Sequence, residues 1–339
     1  MSAKPKVSVF TTCKNSEKYF SETIQSILDQ TFKDLEIVIV DAASTDETLN
    51  LIKNLAAKDP RVRWISESDR DATEGFYKAI QMTGGEYIFC LPISDFYVSK
   101  NWIEKCVQAL DQDPQVSLVH GIPVNMNEAG ALYNVPFHDW LKKPLPGKKD
   151  FTAFYLATYC VVSEITFGVR RSVMLECYPK WNSKEDYEAL LHSKNINEKQ
   201  AYDPFLNFLL EFFKRGYLAI HLPYFATAGR THDSSRNLKF ADFLVRVGSN
   251  YVKNISILRE SIFSGATTYV WRDGKSQVIG TMTGDELKKF KSKVWKYRLL
   301  EKHMYGHIES FSVRLLIRII SILKAIDPKE RILKLFFKN

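Results

Sequence analysis

Apolar and polar positions come in regular blocks over the first two thirds of the chain. Val7-Ser8-Val9-Phe10-Thr11-Thr12 is short, apolar and β-branched, which predicts a buried strand. Tyr19, Phe20, Ile24, Ile27 and Leu28 follow at helical spacing, behind Ser16 as N-cap and Glu17 in the first turn. Leu35 to Asp41 reads as a second strand. Ser44 and Glu47 are spaced as a capping box ahead of a helix over 49–57. Val62 to Ser66 is a third strand, 67–73 a charged loop and 74–82 a helix. Gly84-Gly85 ends that helix, and the apolar run after it predicts a strand that stops at Asp95.

The alternation then loosens. A helix over 102–110, a strand over 116–121 and a long loop over 126–150 precede a strand or turn at Phe167-Gly168-Val169-Arg170-Arg171. Residues 180–201 are polar and read as a loop. Asp203-Pro204 opens a strongly apolar helix as N-cap and N1, and Lys214-Arg215-Gly216 closes it. Leu218 to Leu222 is a late strand, and 228–236 a loop holding Arg230, His232, Asp233 and Arg236. Residues 237–308 read as mainly helical, with a small hairpin near Trp271 to Lys275. A β-α-β alternation of this kind predicts an α/β fold, with a mostly parallel central sheet flanked by helices. Ligands of such sheets bind in the crevice beyond the strands' carboxyl ends. Thr11, Thr12, Asp41 and Asp95 all fall there, with Asp69 on a neighbouring loop.

Composition is that of a globular protein, at 45% apolar and 25% charged residues. The net charge of +8 suits a polyanion or an anionic membrane surface. Much of that excess sits at 310–339, where Phe311, Leu315, Leu316, Ile319 and Ile320 alternate with Arg314 and Arg318 before a Lys-rich end. A basic amphipathic segment of this sort is expected to lie on an anionic leaflet; the bland reading is a helix packed on the core or on a second copy. The basic residues cluster with apolar ones rather than with stacking aromatics, so nucleic acid is a poor partner. Cys13, Cys90, Cys106, Cys160 and Cys177 have no CxxC spacing and read as buried thiols of a reducing compartment. The first six residues contain no apolar leader and no run reaches the ~20 residues of a spanning helix, so the expected location is cytoplasmic, peripheral on the inner membrane's cytoplasmic face.

Five blocks resemble the family 2 glycosyltransferases of GT-A fold. Val7 to Asn15 is similar to that family's "VSIITPTYN" strand, and Ser26-Ile27-Leu28-Asp29-Gln30-Thr31 to "SVLNQT". Asp41 to Thr48 resembles "DDGSTDGT", Ser66 to Lys78 "SEPDRGQSDAINKG", and Gly85 to Tyr97 "GEYIGFLNSDDWY". The resemblance spans about 5–236 and implies a catalytic domain over 1–236, followed by a helical region over 237–309 and the tail over 310–339. It implies a UDP-sugar donor, with a dTDP-sugar as the other choice, and a glycan or lipid-linked acceptor in bacterial surface polysaccharide synthesis. Asp41 would accept the uracil N3–H, and Thr11 and Thr12 would line the base pocket. Asp69 and Arg70 would approach the uracil or diphosphate, with Asn15, Lys78 and Ser94 in the same lining. Asp95, the last carboxylate of the family's DxD motif, would hold Mn²⁺ or Mg²⁺, joined by His232 from an "R.H..S" segment. An inverting reaction needs a base, and Asp203 at the head of the helix ending in Lys214-Arg215-Gly216-Tyr217 corresponds to it, with Glu185-Asp186 as runner-up.

The chain departs from the family at this metal motif. Ile93 and Ser94 stand where two further carboxylates are usual, and Ala42 replaces the second Asp of "VDD". A non-catalytic nucleotide-sugar or glycan-binding subunit is therefore the competing class, and a transferase acting on protein or teichoic acid a second enzymatic one. The aromatic-rich helical region also suits packing against a second copy.

Overall fold

The computed structural model describes residues 4–69, 72–134, 153, 164–178, 204–231, 270–272, 278–281 and 284–305. Arg70, Asp203, His232, the 180–201 segment, Cys160 and the tail over 310–339 lie outside the described residues.

Four strands and three helices alternate first: β1 (Val7–Cys13), α1 (Glu17–Leu28), β2 (Leu35–Asp41), α2 (Thr48–Lys58), β3 (Val62–Ser66), α3 (Ala72–Met82) and β4 (Tyr87–Cys90). Next come β5 (Phe96–Tyr97), α4 (Trp102–Gln112), β6 (Val116–Met126), β7 (Leu132–Asn134), β8 (Phe167–Arg170), α5 (Arg171–Cys177), α6 (Pro204–Lys214) and β9 (Leu218–Arg230). A hairpin of β10 (Val270–Arg272) and β11 (Val278–Thr281) precedes the long helix α7 (Gly284–Tyr305).

Among the described residues the main sheet has nine strands, in the order β3-β2-β1-β4-β8-β6-β9-β5, with β7 on β6. β3, β2, β1 and β4 run parallel, as do β6 and β9, while β8 is antiparallel to both its neighbours. The sheet is buried on both sides, so its strands read as continuous apolar runs whose alternate residues serve opposite faces. Val7, Val9, Ile37, Ile39 and Phe89 pack with α1, α2 and α4 on one face. Phe10, Val38, Val40, Ile88 and Cys90 pack with α3, α5 and α6 on the other, together with Leu287, Phe290 and Val294 of α7.

Several expectations are corrected. The strand expected to reach Asp95 stops at Cys90: Leu91 N–H still bonds Phe10 O at 3.1 Å, but Pro92 has no N–H, and Asp95 N–H folds back to Pro92 O at 3.1 Å. The Ser44–Glu47 capping box does not form, because the Ser44 hydroxyl donates to Asp41 instead. Ser16 does not cap α1 with its side chain; its hydroxyl donates to Lys14 O at 3.2 Å. Arg230 belongs to a strand and not a loop, since β9 runs on in parallel register with β6 to the Met126–Arg230 pair. Gly216 ends α6 as expected, at φ +78°.

Candidate active site

The parallel register brings three strand ends to one rim. Cys13 of β1 pairs with Asp41 of β2, and Asp41 with Ser66 of β3. β4 pairs with β1 up to Phe10–Cys90, so the Leu91–Asp95 turn leaves the sheet at the same end.

Asp41 is fully buried. Its carboxylate accepts from Ser44 N–H at 3.0 Å, from the Ser66 hydroxyl at 2.6 Å and from the Ser44 hydroxyl. The loop thus held is tied to the end of β1. Asn15 sits in the left-handed region at φ +49°, donates its N–H to Ser44 Oγ at 2.8 Å and accepts from Thr45 N–H at 2.9 Å. Burial, with the Asp41 charge beside it, pushes the Cys13 thiol far above its ordinary range and keeps it neutral. Thr11 is buried and its hydroxyl has no hydrogen-bond partner among the described residues, while Thr12 is half-buried.

A second group lies on the β3–α3 connection. Lys78 Nζ bridges Asp69 at 2.6 Å and Glu67 at 2.8 Å, with Ser68 O at 3.3 Å. Burial works against the Lys78 charge, but the hydrogen bonds to Asp69 and Glu67 outweigh it and raise the ammonium above its usual range. Gly75 lets α3 close on this pair: a Cβ there would stand 2.6 Å from Asp69 Oδ2 and 3.6 Å from Thr12 Cγ2.

The third group is the turn after β4. Ser94 adopts φ +106°. Thr23 of α1 holds the turn through one hydroxyl, accepting from Ser94 N–H at 3.1 Å and donating to Asp95 O at 2.8 Å. Arg230 N–H donates to Asp95 Oδ1 at 2.9 Å, and Ser94 Oγ lies 3.4 Å from the same oxygen. Oδ2 takes no hydrogen bond among the described residues. Burial raises the Asp95 carboxyl to about 7; the Glu164 charge adds to this, while the Arg230 N–H and Ser94 hydroxyl oppose it. Glu164 lies just ahead of β8, which is antiparallel to β4, so the topology brings it beside the β4 exit.

The structure therefore brings Thr12, Asp69 and Lys78 together, Asn15 and Asp41 together, and Ser94 and Asp95 together, all at the carboxyl end of β1 to β4. Among the described residues no three His, Cys, Asp or Glu side chains form a metal-binding group. Sequence reasoning gave no role to Thr23, Glu164 or Arg230. Thr23 carried a signal as a polar residue within the apolar stripe Phe20, Ile24 and Ile27, and Arg230 one as the first residue of the "R.H..S" segment.

Residues 8–175 match the family described as glycosyl transferase family 2. Chondroitin synthase of Escherichia coli is 32% identical over 211 residues, covering 58% of this chain and 30% of that protein, so the chain spans less than a third of that relative's length. The solved structure of S. aureus TarS 1–349 in complex with UDP-GlcNAc superimposes with a TM-score of 0.53 at 16% identity, over 90% of this chain and 93% of that one. The mannosyltransferase PcManGT from Pyrobaculum calidifontis, in complex with GDP-Man and Mn²⁺, gives 0.50 at 14% identity, over 96% and 82%. At such identities the two structures speak for the fold alone. Family match, related sequences and fold agree: the chain belongs to the family 2 glycosyltransferases, with their GT-A architecture.

Proposed function

We propose that this glycosyltransferase takes a sugar from a UDP-sugar and passes it, with inversion, to a hydroxyl of a glycan or lipid-linked acceptor in bacterial surface polysaccharide synthesis. The observation that carries the reading is the shared rim of Asp41, the Asp69–Lys78 pair and Asp95 at the strand ends. It is the crevice where an open α/β sheet binds its ligand. The related chondroitin synthase and the UDP-GlcNAc complex of TarS support a nucleotide-sugar donor.

Each group has work to do on such a donor. Thr11 and Thr12 line the base side. Asp41 reaches the base once the Ser44 or Ser66 hydroxyl swings away, because both now occupy its carboxylate. Lys78 fixes Asp69 on the diphosphate side, where Arg70 adjoins in sequence and brings the positive charge. The donor set at Asp95 suits a hard divalent cation: Oδ1 is already fixed by Arg230 N–H, Oδ2 is open, and the Glu164 charge is near. Phosphate oxygens, water and His232 would complete that shell. Such a cation, when bound, neutralises the charge of the leaving diphosphate. The base is assigned to Asp203, one residue ahead of α6; it takes the acceptor's proton as the oxygen attacks the anomeric carbon.

Incubation with a panel of nucleotide sugars and Mn²⁺ should release UDP from one of them. Release unchanged by EDTA would remove the metal role of Asp95. Asp203→Asn should abolish turnover while leaving UDP affinity nearly intact, and normal turnover would place the base elsewhere.

A further inference from the structure

We infer that Arg230 is a positioning residue for transfer, acting with Thr23 as a clasp that aims the Asp95 carboxylate into the donor crevice. The inference deepens the function proposed above and rests on it.

The guanidinium of Arg230 is inside the molecule, with its side chain 4% exposed. Each of its three nitrogens is engaged on a different element. Nε donates to Ser94 O at 3.2 Å, Nη1 to Glu128 O at 2.7 Å, and Nη2 to the Glu22 carboxylate of α1. Its Cζ also lies 4.9 Å from the Tyr19 ring centre. A guanidinium so committed is not available as a loose counter-charge for a diphosphate. Its backbone contributes as well, since Arg230 N–H is the donor that fixes Asp95 Oδ1.

These contacts converge on a strained turn. Ser94 at φ +106° occupies a region that is strained for an L-residue and persists only where surroundings over-determine it. Here the over-determination comes from two directions. From α1, Thr23 Oγ1 holds Ser94 N–H and Asp95 O. From the end of β9, Arg230 holds Ser94 O through Nε and Asp95 Oδ1 through its N–H. Both peptide groups flanking Ser94 are thereby pinned, and the carboxylate of Asp95 is left with Oδ2 as its free oxygen. A chain with Ile93 and Ser94 in the turn has no second carboxylate there to share the work, so the direction of this one oxygen governs the site. The outer partners that orient a ligating carboxylate tune metal affinity almost as strongly as the ligand itself.

Arg230→Lys keeps the charge but loses the fork, and Thr23→Val removes the other half of the clasp at nearly constant volume. Free Mn²⁺ is followed by its EPR signal as it is titrated into full-length protein holding saturating UDP, and UDP binding without metal is measured by calorimetry. Each variant is expected to weaken Mn²⁺ uptake roughly tenfold or more. Each should lower kcat while leaving metal-free UDP affinity and donor KM within about twofold, and the double variant should lose less than the product of the two. Folded variants with wild-type Mn²⁺ uptake, or loss of UDP binding equal to loss of Mn²⁺, would overturn the inference. If Arg230→Lys does not fold, Thr23→Val decides alone. Failure of the underlying function shows separately, as a wild-type protein that releases no UDP from any nucleotide sugar.

Discussion

Ser94 and Asp41 show how much single residues of this site depend on their surroundings. Ser94 carries a side chain at φ +106°, where glycine would be free of strain. Ser94→Gly should stabilise the protein by about 1 kcal/mol in urea denaturation at neutral pH, the strain relieved exceeding the entropy added to the unfolded chain. A destabilised variant would mean that the weak Ser94–Asp95 contact outweighs the strain. The place of Asp41 at the end of a strand was legible, but its engagement with Ser44 and Ser66 was not. Nor was the Arg230 clasp, whose partner Glu22 lies 208 positions away in sequence. Contacts of that range leave no local pattern, whereas Val9, Ile37 and Ile39 announce their strands through local burial alone.

The elements most readable in the sequence were those whose pattern is set by burial on both faces, β1 to β4 with α1 to α3. The second half of the sheet was less so. β8 enters antiparallel between β4 and β6, a choice made by distant pairing and by close packing at a glycine. A Cβ on Gly168 would stand 2.6 Å from the Phe89 ring and 3.4 Å from Cys106 Cβ, so Gly168→Ala should cost about 1–3 kcal/mol in the same denaturation experiment. Farther along, His120 and His221 face each other in register on β6 and β9, with ring centres 5.1 Å apart. Burial holds both neutral, His221 with its pKa lowered from 6.5 to about 4 and His120 well below its usual value. Between those values the unfolded chain binds the proton that the folded chain refuses. This contribution is therefore intact above pH 6.5 and is lost as pH falls toward 4, by up to about 3 kcal/mol for His221. The melting temperature should drop between pH 7 and 5, and His221→Gln should flatten that slope. An unchanged slope would assign the acid sensitivity to other groups.

At the scale of the whole molecule the C-terminal third is where sequence and structure say least about each other, yet one helix joins them. α7 sets Leu287, Phe290 and Val294 into the core that lines α3, α5 and α6. It turns Lys288, Lys289, Lys293 and Lys296 outward, with Trp295 57% exposed among them. Among the described residues no helix is long and apolar enough to cross a membrane. A basic face bearing an exposed Trp fits the headgroup region of an anionic leaflet, and the 310–339 segment repeats that chemistry with Arg314, Arg318, Lys324, Arg331 and Lys334 beside large apolar residues. Each such charge near an anionic surface contributes about 1 kcal/mol, so several together bind measurably at low salt and weakly at high salt. Full-length protein should therefore co-sediment with phosphatidylglycerol-rich vesicles and not with neutral ones, and it should be released as salt is raised. Deletion of 310–339 should reduce that binding at least tenfold while UDP release from a soluble acceptor reaction continues. Binding that survives the deletion but falls with Lys288, Lys289 and Lys293 changed to Gln would move the contact to α7. Binding that survives both changes would put the contact on another surface of the protein, and full-length protein that fails to bind the vesicles at all would leave the acceptor, not the leaflet, to bring this enzyme to its site of work.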